Sequence, residues 1–361
     1  MPHVKNPNAP RILRARNLAR LGWLEHGFST REGGISRLDG HAGILNLAAA
    51  AGDRPERVRE NQRRFLQALS GKKILKSAPD PQLWPRELRQ IHSALVWRDP
   101  RPRQAGDGLM TNRSGLRLAI RTADCLPILL ADQRLRVVAA VHAGWRGTLA
   151  RIAERTVGEM RAAYGCRPED MLAAIGPGIG GCCYEVGPEI VQAFLAQFPQ
   201  ADAFLAAPDP DAMRMRFPNL FLTGTPPGHD YDARWNAESF ARLDLKQANF
   251  QQLRAAGLGE SAIEILPYCT ACQPDLFFSY RREGEYAGRH WAVIGVVPDL
   301  PEQQLNSNAS IHHSLKIASP PRKGGEPKDK SNVFNQKNLK KIQKWVALSK
   351  NFRYIKYNFG Q

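Results

Sequence analysis

Three short segments carry the residue types that ligate metals or activate nucleophiles. "RQIHSALV" holds His92, "TADCLPILLAD" holds Cys125 and "VHAGWRGT" holds His142. Thiolate and imidazole are good zinc ligands, and three protein ligands with an open position is the pattern of catalytic rather than structural zinc. A thiol beside an imidazole would serve equally as nucleophile and base. A buried cysteine and a hydrogen-bonded histidine with packing roles would account for the same residues.

The element between Cys125 and His142 decides whether they can meet. "PILLAD" and "RVVAAVH" read as two apolar strands joined by a short "QRL" link. A two-residue loop at Gln133-Arg134 would make a hairpin that pairs Cys125 directly with His142. Their Cβ atoms would then lie ~4.5–5.5 Å apart on one face. His92 stands beside a further short apolar run.

The surrounding chain, residues 1–300, reads as α+β. Helices are expected over 56–69 with Asp53 as N-cap, over 148–165, over 188–198 with Pro188 in its first turn, and over 237–257. Short β runs lie between them: "LRLAI", "LAAIG", "AIEIL", "FFSY" and "WAVIGVV". Hairpins and interspersed helices point away from a doubly wound sheet. Residues 206–235, rich in Pro and Gly, read as an excursion loop.

Composition bounds the function. The chain has 361 residues and a net charge of +17, which invites a nucleic-acid reading. Residues 301–361 carry 12 Lys+Arg against 3 Asp+Glu, so more than half the excess sits there. The basic residues also change type, from 34 Arg and 5 Lys before residue 301 to 2 Arg and 10 Lys after it. The reading is therefore one domain over 1–300, a disordered Lys/Asn-rich tail over 301–361, and no specific nucleic acid as partner. The tail is expected to be dispensable. No apolar run approaches the ~18–20 residues of a membrane span. The N-terminus shows no apolar core of a secretory signal, so a cytoplasmic location is expected. Six cysteines in such a chain suggest free thiols or a metal site rather than a disulfide framework.

Several motifs occur in order: "FSTREGGIS", "LNLAAAAGDRPERVRENQRR", "RQIHSALV", "GDGLMT", "TADCLPILLAD", "VHAGWRGT", "AIGPGIGGCCYEVGPEI" and "CTACQPDLFFSYRREGEYAGRHWAVIGVV". Together they resemble the multicopper-polyphenol-oxidase-like family, also called the laccase-domain or purine nucleoside phosphorylase family, which includes bacterial peptidoglycan editing factors. The resemblance spans about residues 20–297. It implies a layered α-β-β-α domain and one zinc ion held by His92, Cys125 and His142. The implied activities are phosphorolysis of adenosine, inosine, guanosine and methylthioadenosine, and deamination of adenosine. The implied partners are therefore a purine nucleoside and phosphate. The alternative is a hydrolase that edits cell-wall precursors in the same pocket, or a metal-free variant with Cys125 as nucleophile and His142 as base.

Arg31 in "STREGG" suits phosphate, as does Arg146 in "HAGWRG". "GPGIGG" (176–181) reads as a tight turn, because no helix opens at its last glycine. Cys269 and Cys272 read as a packed turn, and at least one of Cys182 and Cys183 as core. A four-copper oxidase needs about ten histidines, and residues 1–300 contain seven.

Overall fold

The computed structural model describes residues 9–38, 40–50, 52–71, 84–207 and 240–298. The chain divides into two units, Met1–Leu300 and Pro301–Gln361, and all described residues belong to the first. The tail beyond residue 300 and the expected loop from residue 208 to 235 lie outside the described residues.

The first eight strands are β1 (Ile12–Leu13), β2 (Leu24–Ser29), β3 (Glu32–Leu38), β4 (His41–Ile44), β5 (Arg86–Glu87), β6 (Val96–Arg98), β7 (Gly108–Thr111) and β8 (Arg117–Thr122). They continue with β9 (Leu126–Asp132), β10 (Val137–Ala143), β11 (Met171–Ile175), β12 (Glu185–Val186), β13 (Leu205–Ala206), β14 (Ala241–Leu243), β15 (Ile263–Ile265) and β16 (His290–Val296). The helices are α1 (Arg16–Ala19), α2 (Pro55–Ser70), α3 (Trp145–Leu149), α4 (Ile152–Tyr164), α5 (Pro188–Gln197), α6 (Leu245–Ala255) and α7 (Tyr280–Glu283).

Two sheets form the centre, one ordered β1-β2-β16-β8-β5 and the other β15-β11-β9-β10-β7-β6. Alternation along β9 and β10 sends side chains two ways. Leu129, Ala131, Val138 and Ala140 meet Phe28, Leu118, Ile120 and Ile294 of the first sheet. Ile128, Leu130, Ala139 and Val141 meet Ile152, Val157 and Met160 of α4 and Leu245 and Leu253 of α6. Both faces are buried, which is why these strands read as unbroken apolar runs. On the far side of the first sheet, Phe65, Leu66 and Leu69 of α2 cover Trp291 and Val293. The order helix, sheet, sheet, helices is the α-β-β-α layering that the resemblance implied. Among the described residues, no helix is long and apolar enough to cross a membrane.

Local expectations needed correction at five places. The β9–β10 link is a four-residue loop, with Asp132 opposite Val137 and His142 opposite Pro127. Asp132 Oδ1 accepts from the Arg134 and Leu135 amides and Arg136 takes a positive φ of 52°, so the turn closes without glycine. The helix expected over 148–165 starts at Trp145 and breaks at Arg151, where φ is 58°. The helix expected from 237 starts at Leu245, where the Asp244 carboxylate accepts from the Lys246 and Gln247 amides; β14 precedes it. "FFSY" is not a strand, because Ser279 caps α7. Asp53 is not the side-chain cap of α2; its Oδ2 accepts from Ser36 and Asn46.

Two buried histidines make stability depend on acid. His26 Nε2 accepts from the Ala15 amide at 3.0 Å, and His290 Nε2 accepts from the Phe278 amide at 2.8 Å. Burial, with the charge of Arg14, holds His26 down to about 4. Burial, with the charge of Arg31, holds His290 down to about 3. An unfolded histidine takes its proton near pH ~6.5. Below that pH the unfolded chain binds more protons than the folded one, so stability falls as pH falls towards about 4. The expected slope approaches ~1.4 kcal/mol per pH unit for each histidine. Urea unfolding at pH 7 and pH 5 checks this, and equal stability at both would contradict it.

Candidate metal centre

The three metal-ligand candidates meet where the chain passes between the sheets. β8 ends at Thr122 in one sheet and β9 starts at Leu126 in the other, so Ala123, Asp124 and Cys125 make the whole crossing. The crossing puts Asp124 at φ 87°, a left-handed conformation that Asp tolerates better than most residues. Its carboxylate accepts from Thr270 Oγ1 at 2.6 Å, Ser279 Oγ at 3.1 Å and the Arg281 amide at 2.6 Å. Both oxygens are engaged, so Asp124 holds Cys125 in place and is not a free base.

His92 sits in a loop between β5 and β6 with φ 57°. One buried carboxylate shapes that loop. Asp107 accepts from the amides of Ile91, His92 and Ser93 and from the Ser93 hydroxyl, the last two at 2.6 and 2.7 Å. It also accepts from His142 Nδ1 at 2.8 Å, which leaves His142 Nε2 for Cys125. Nothing in "GDGLMT" marks this role of Asp107, whose partners lie 14 to 35 residues away.

One ring nitrogen of His92, one of His142 and the sulfur of Cys125 all lie within 4.8 Å of one another. The His92 and His142 rings stand edge to face at 4.9 Å. His142 is buried, Cys125 is half-buried and His92 is exposed, so the set opens to solvent on the His92 side. The expected direct pairing of Cys125 with His142 is wrong by two residues. The parity of the register is unchanged, so the two side chains still share the face between the sheets.

The position opposite Cys125 is Gly144. A Cβ there would stand 2.8 Å from the Cys125 sulfur and 3.2 Å from His92 Cδ2. Its φ of −78° suits any residue, so the glycine serves proximity alone. Gly144→Ala should weaken metal binding about 10–100-fold, the equivalent of the ~1–3 kcal/mol that overpacking costs. Zinc competition against a chromogenic chelator reads this, and unchanged affinity would contradict it.

Without a metal the three groups polarise one another. Burial pushes the Cys125 thiol up, but His142 and His92 outweigh it and bring it down to about 6. Burial pushes His142 down, but the Cys125 sulfur and Asp107 outweigh it and raise it to about 9. Asp107 is lowered despite burial, chiefly by its hydrogen bond from His142. A donor set that favours thiolate in this way is one prepared for a cation.

The two arginines occupy different surroundings. Arg146 is exposed on α3, two residues beyond Gly144, with its guanidinium 4.3 Å from the Trp145 ring. It and Arg281 lie near Tyr184, whose hydroxyl is pushed up first by burial and then by Cys125. Arg31 is buried. It donates to the Pro274 carbonyl at 2.7 Å, stands 3.6 Å from Glu283 and lies over the Phe278 ring. It opens onto a cleft of about 790 Å³ that it shares with Arg11, Glu32, His41 and Asp275, and none of the three ligand candidates lines that cleft. "GPGIGG" is not the expected tight turn over its whole length: Gly178 bridges Cys269, the Ile179 amide donates to the Asp124 carbonyl, and the turn opens only at Gly180, whose carbonyl accepts from the Cys183 and Tyr184 amides.

Comparison with known proteins gives a consistent picture. Residues 25–297 match the family described as multi-copper polyphenol oxidoreductase laccase. A Deinococcus radiodurans protein named purine nucleoside phosphorylase is 38% identical over 293 residues, covering 80% of this chain and 94% of its own. One of the same name from Bacteroides thetaiotaomicron is 31% identical, covering 77% and 94%. The crystal structure of Bacillus licheniformis hypothetical protein YfiH superposes with a TM-score of 0.64 at 28% identity, over 81% of this chain and 99% of that one.

Proposed function

We propose that this chain, which belongs to the multi-copper polyphenol oxidoreductase laccase family, is a zinc-dependent purine nucleoside phosphorylase. One observation carries the reading: His92, Cys125 and His142 converge within 4.8 Å in front of a buried carboxylate. Relatives over most of the chain bear the phosphorylase name. The donor set suits zinc, since thiolate and imidazole are its usual ligands and Asp107 behind His142 is the usual orienting partner. His26 and His290, two of the other histidines, are engaged with backbone amides, which counts against a multicopper centre.

Zinc, when bound, supplies a Lewis acid at the mouth of the site. His92, Cys125 and His142 would hold it, and Asp107 and Asp124 would fix those ligands. In phosphorolysis a phosphate oxygen forms a bond to C1′ as the bond from C1′ to the purine nitrogen breaks. The products are the free base, which takes up a proton, and ribose 1-phosphate. The phosphate needs cationic partners. Arg146 is the first assigned, because it is exposed beside the ligand strand. Arg31 is the second. It is kept on its motif alone, since it opens onto a cleft that none of the three ligands lines. Adenosine deamination at C6 would use the same site with water in place of phosphate, and a cytoplasmic location would suit such substrates.

The test is a product assay on inosine and adenosine with and without phosphate. The reading expects hypoxanthine and ribose 1-phosphate from inosine only when phosphate is present. It expects inosine and ammonia from adenosine without phosphate. No base release from either nucleoside, with turnover of a cell-wall precursor, would contradict it and favour the editing hydrolase.

A further inference from the structure

A second cluster of ligands lies outside this site. The sulfurs of Cys182, Cys183, Cys269 and Cys272 all lie within 4.8 Å of one another. Cys272 Sγ is 3.4 Å from Cys182 Sγ and 3.2 Å from Cys183 Sγ, and all four cysteines are free thiols. Neither Cys182 nor Cys183 is core, against expectation: the first is exposed and the second half-buried. Cys269 and Cys272 flank the expected turn, which closes on the adjacent pair.

We propose that Cys182, Cys183, Cys269 and Cys272 bind one zinc ion as a closed four-thiolate site that braces the catalytic crossing. A tetrahedron of sulfurs at ~2.3 Å from one ion has edges of ~3.8 Å; the 3.2 and 3.4 Å separations are a few tenths shorter, and all four sulfurs lie within 4.8 Å. Iron–sulfur clusters, with several metal atoms between the thiolates, need wider spacing. The two adjacent cysteines both reach Cys272, so their adjacency does not prevent joint ligation.

One backbone donor and one cation stand close to the sulfurs. The Gly180 amide donates to Cys269 Sγ at 3.2 Å. A Cβ on Gly180 would stand 3.2 Å from Cys182 Sγ and 3.6 Å from Cys269 Sγ, so the tight turn brings backbone up to the sulfurs. Lys246, a largely buried ammonium, donates to the Leu266 and Tyr268 carbonyls, and its charge is felt at Cys269 and Cys182. Four thiols release four protons to solvent on binding one divalent ion, which leaves two negative charges that Lys246 partly offsets.

The site joins two segments that position Cys125. Gly178 bridges Cys269, and the Thr270 amide donates to the Gly178 carbonyl. Thr270 Oγ1 then donates to Asp124, the residue before Cys125. An ion holding 182–183 against 269–272 clamps this connection.

The test counts zinc by its ligand shell in the full chain purified with reductant and without chelator. X-ray absorption and metal analysis on Cys125→Ala should find one zinc per chain with four sulfurs at ~2.3 Å. Wild type should contain that same zinc whether or not the His92/Cys125/His142 site is filled, so the two assignments fail separately. Cys269→Ser/Cys272→Ser should lose it. Should that variant not fold, titrating Cys125→Ala with a mercurial reagent should release one zinc for each four thiols bound. Three results would overturn the proposal: no four-sulfur zinc in wild type, iron in its place, or a mass showing these cysteines paired as disulfides.

Discussion

Cys125→Ala is expected to lose the zinc held with His92 and His142, and to lose phosphorolysis by more than about 100-fold, the upper end of what removing a mere outer-shell partner costs. The fold should survive. Cys125 lies at the crossing between β8 and β9, not within either strand, and is half-buried. Its backbone is held by Asp124, whose three donors the substitution leaves intact. Cys125→Ser should be similarly impaired, because a hydroxyl is a poorer zinc ligand than a thiolate. Zinc content, steady-state turnover and a thermal melt on the same sample check this. A melt displaced as far as activity would mean that the cysteine is structural.

Asp107→Asn is expected to damage both the site and the fold. The carboxylate is fully buried and accepts five hydrogen bonds, from three amides, one hydroxyl and the His142 ring. An amide of the same shape replaces one acceptor oxygen by a donor that faces other donors. Each unsatisfied buried group costs ~1–3 kcal/mol, so a loss of about 2–4 kcal/mol is expected. His142 loses its orienting carboxylate, which should weaken zinc binding about 10–100-fold. Denaturant unfolding and zinc competition separate the two effects. Unchanged zinc affinity in a destabilised protein would confine Asp107 to the fold.

The residues differ in how far their roles could be read from sequence, and the reason is contact range. The layered core followed from strands apolar on both faces and helices apolar on one. Cys125 and His142 drew attention because they flank a single hairpin, where local pairing dominates. The register slipped because the β9–β10 turn is closed by Asp132 and a positive φ at Arg136, with no glycine or asparagine to mark it. A slip of two keeps every side chain on its face, so the conclusion about the site stood on the wrong pairing. Asp107 and Asp124 were not legible as organisers, since Asp124 takes partners up to 157 residues away. "FFSY" has the composition of a strand, yet Ser279 caps a helix and Phe278 packs on His290. The pairing of Cys182-Cys183 with Cys269 and Cys272 spans about ninety residues and comes only from the folded chain.

If zinc at His92, Cys125 and His142 is required for phosphate-dependent cleavage of a purine nucleoside, its removal must stop the reaction. The most direct measurement follows hypoxanthine release from inosine in phosphate while zinc is removed from wild type and then returned. Activity should vanish with the last zinc bound through mixed sulfur and nitrogen ligands, and return as that zinc is restored, with ribose 1-phosphate formed in step with base. Undiminished phosphate-dependent release by protein shown to contain no zinc would contradict the account and leave Cys125 and His142 as a nucleophile and its base.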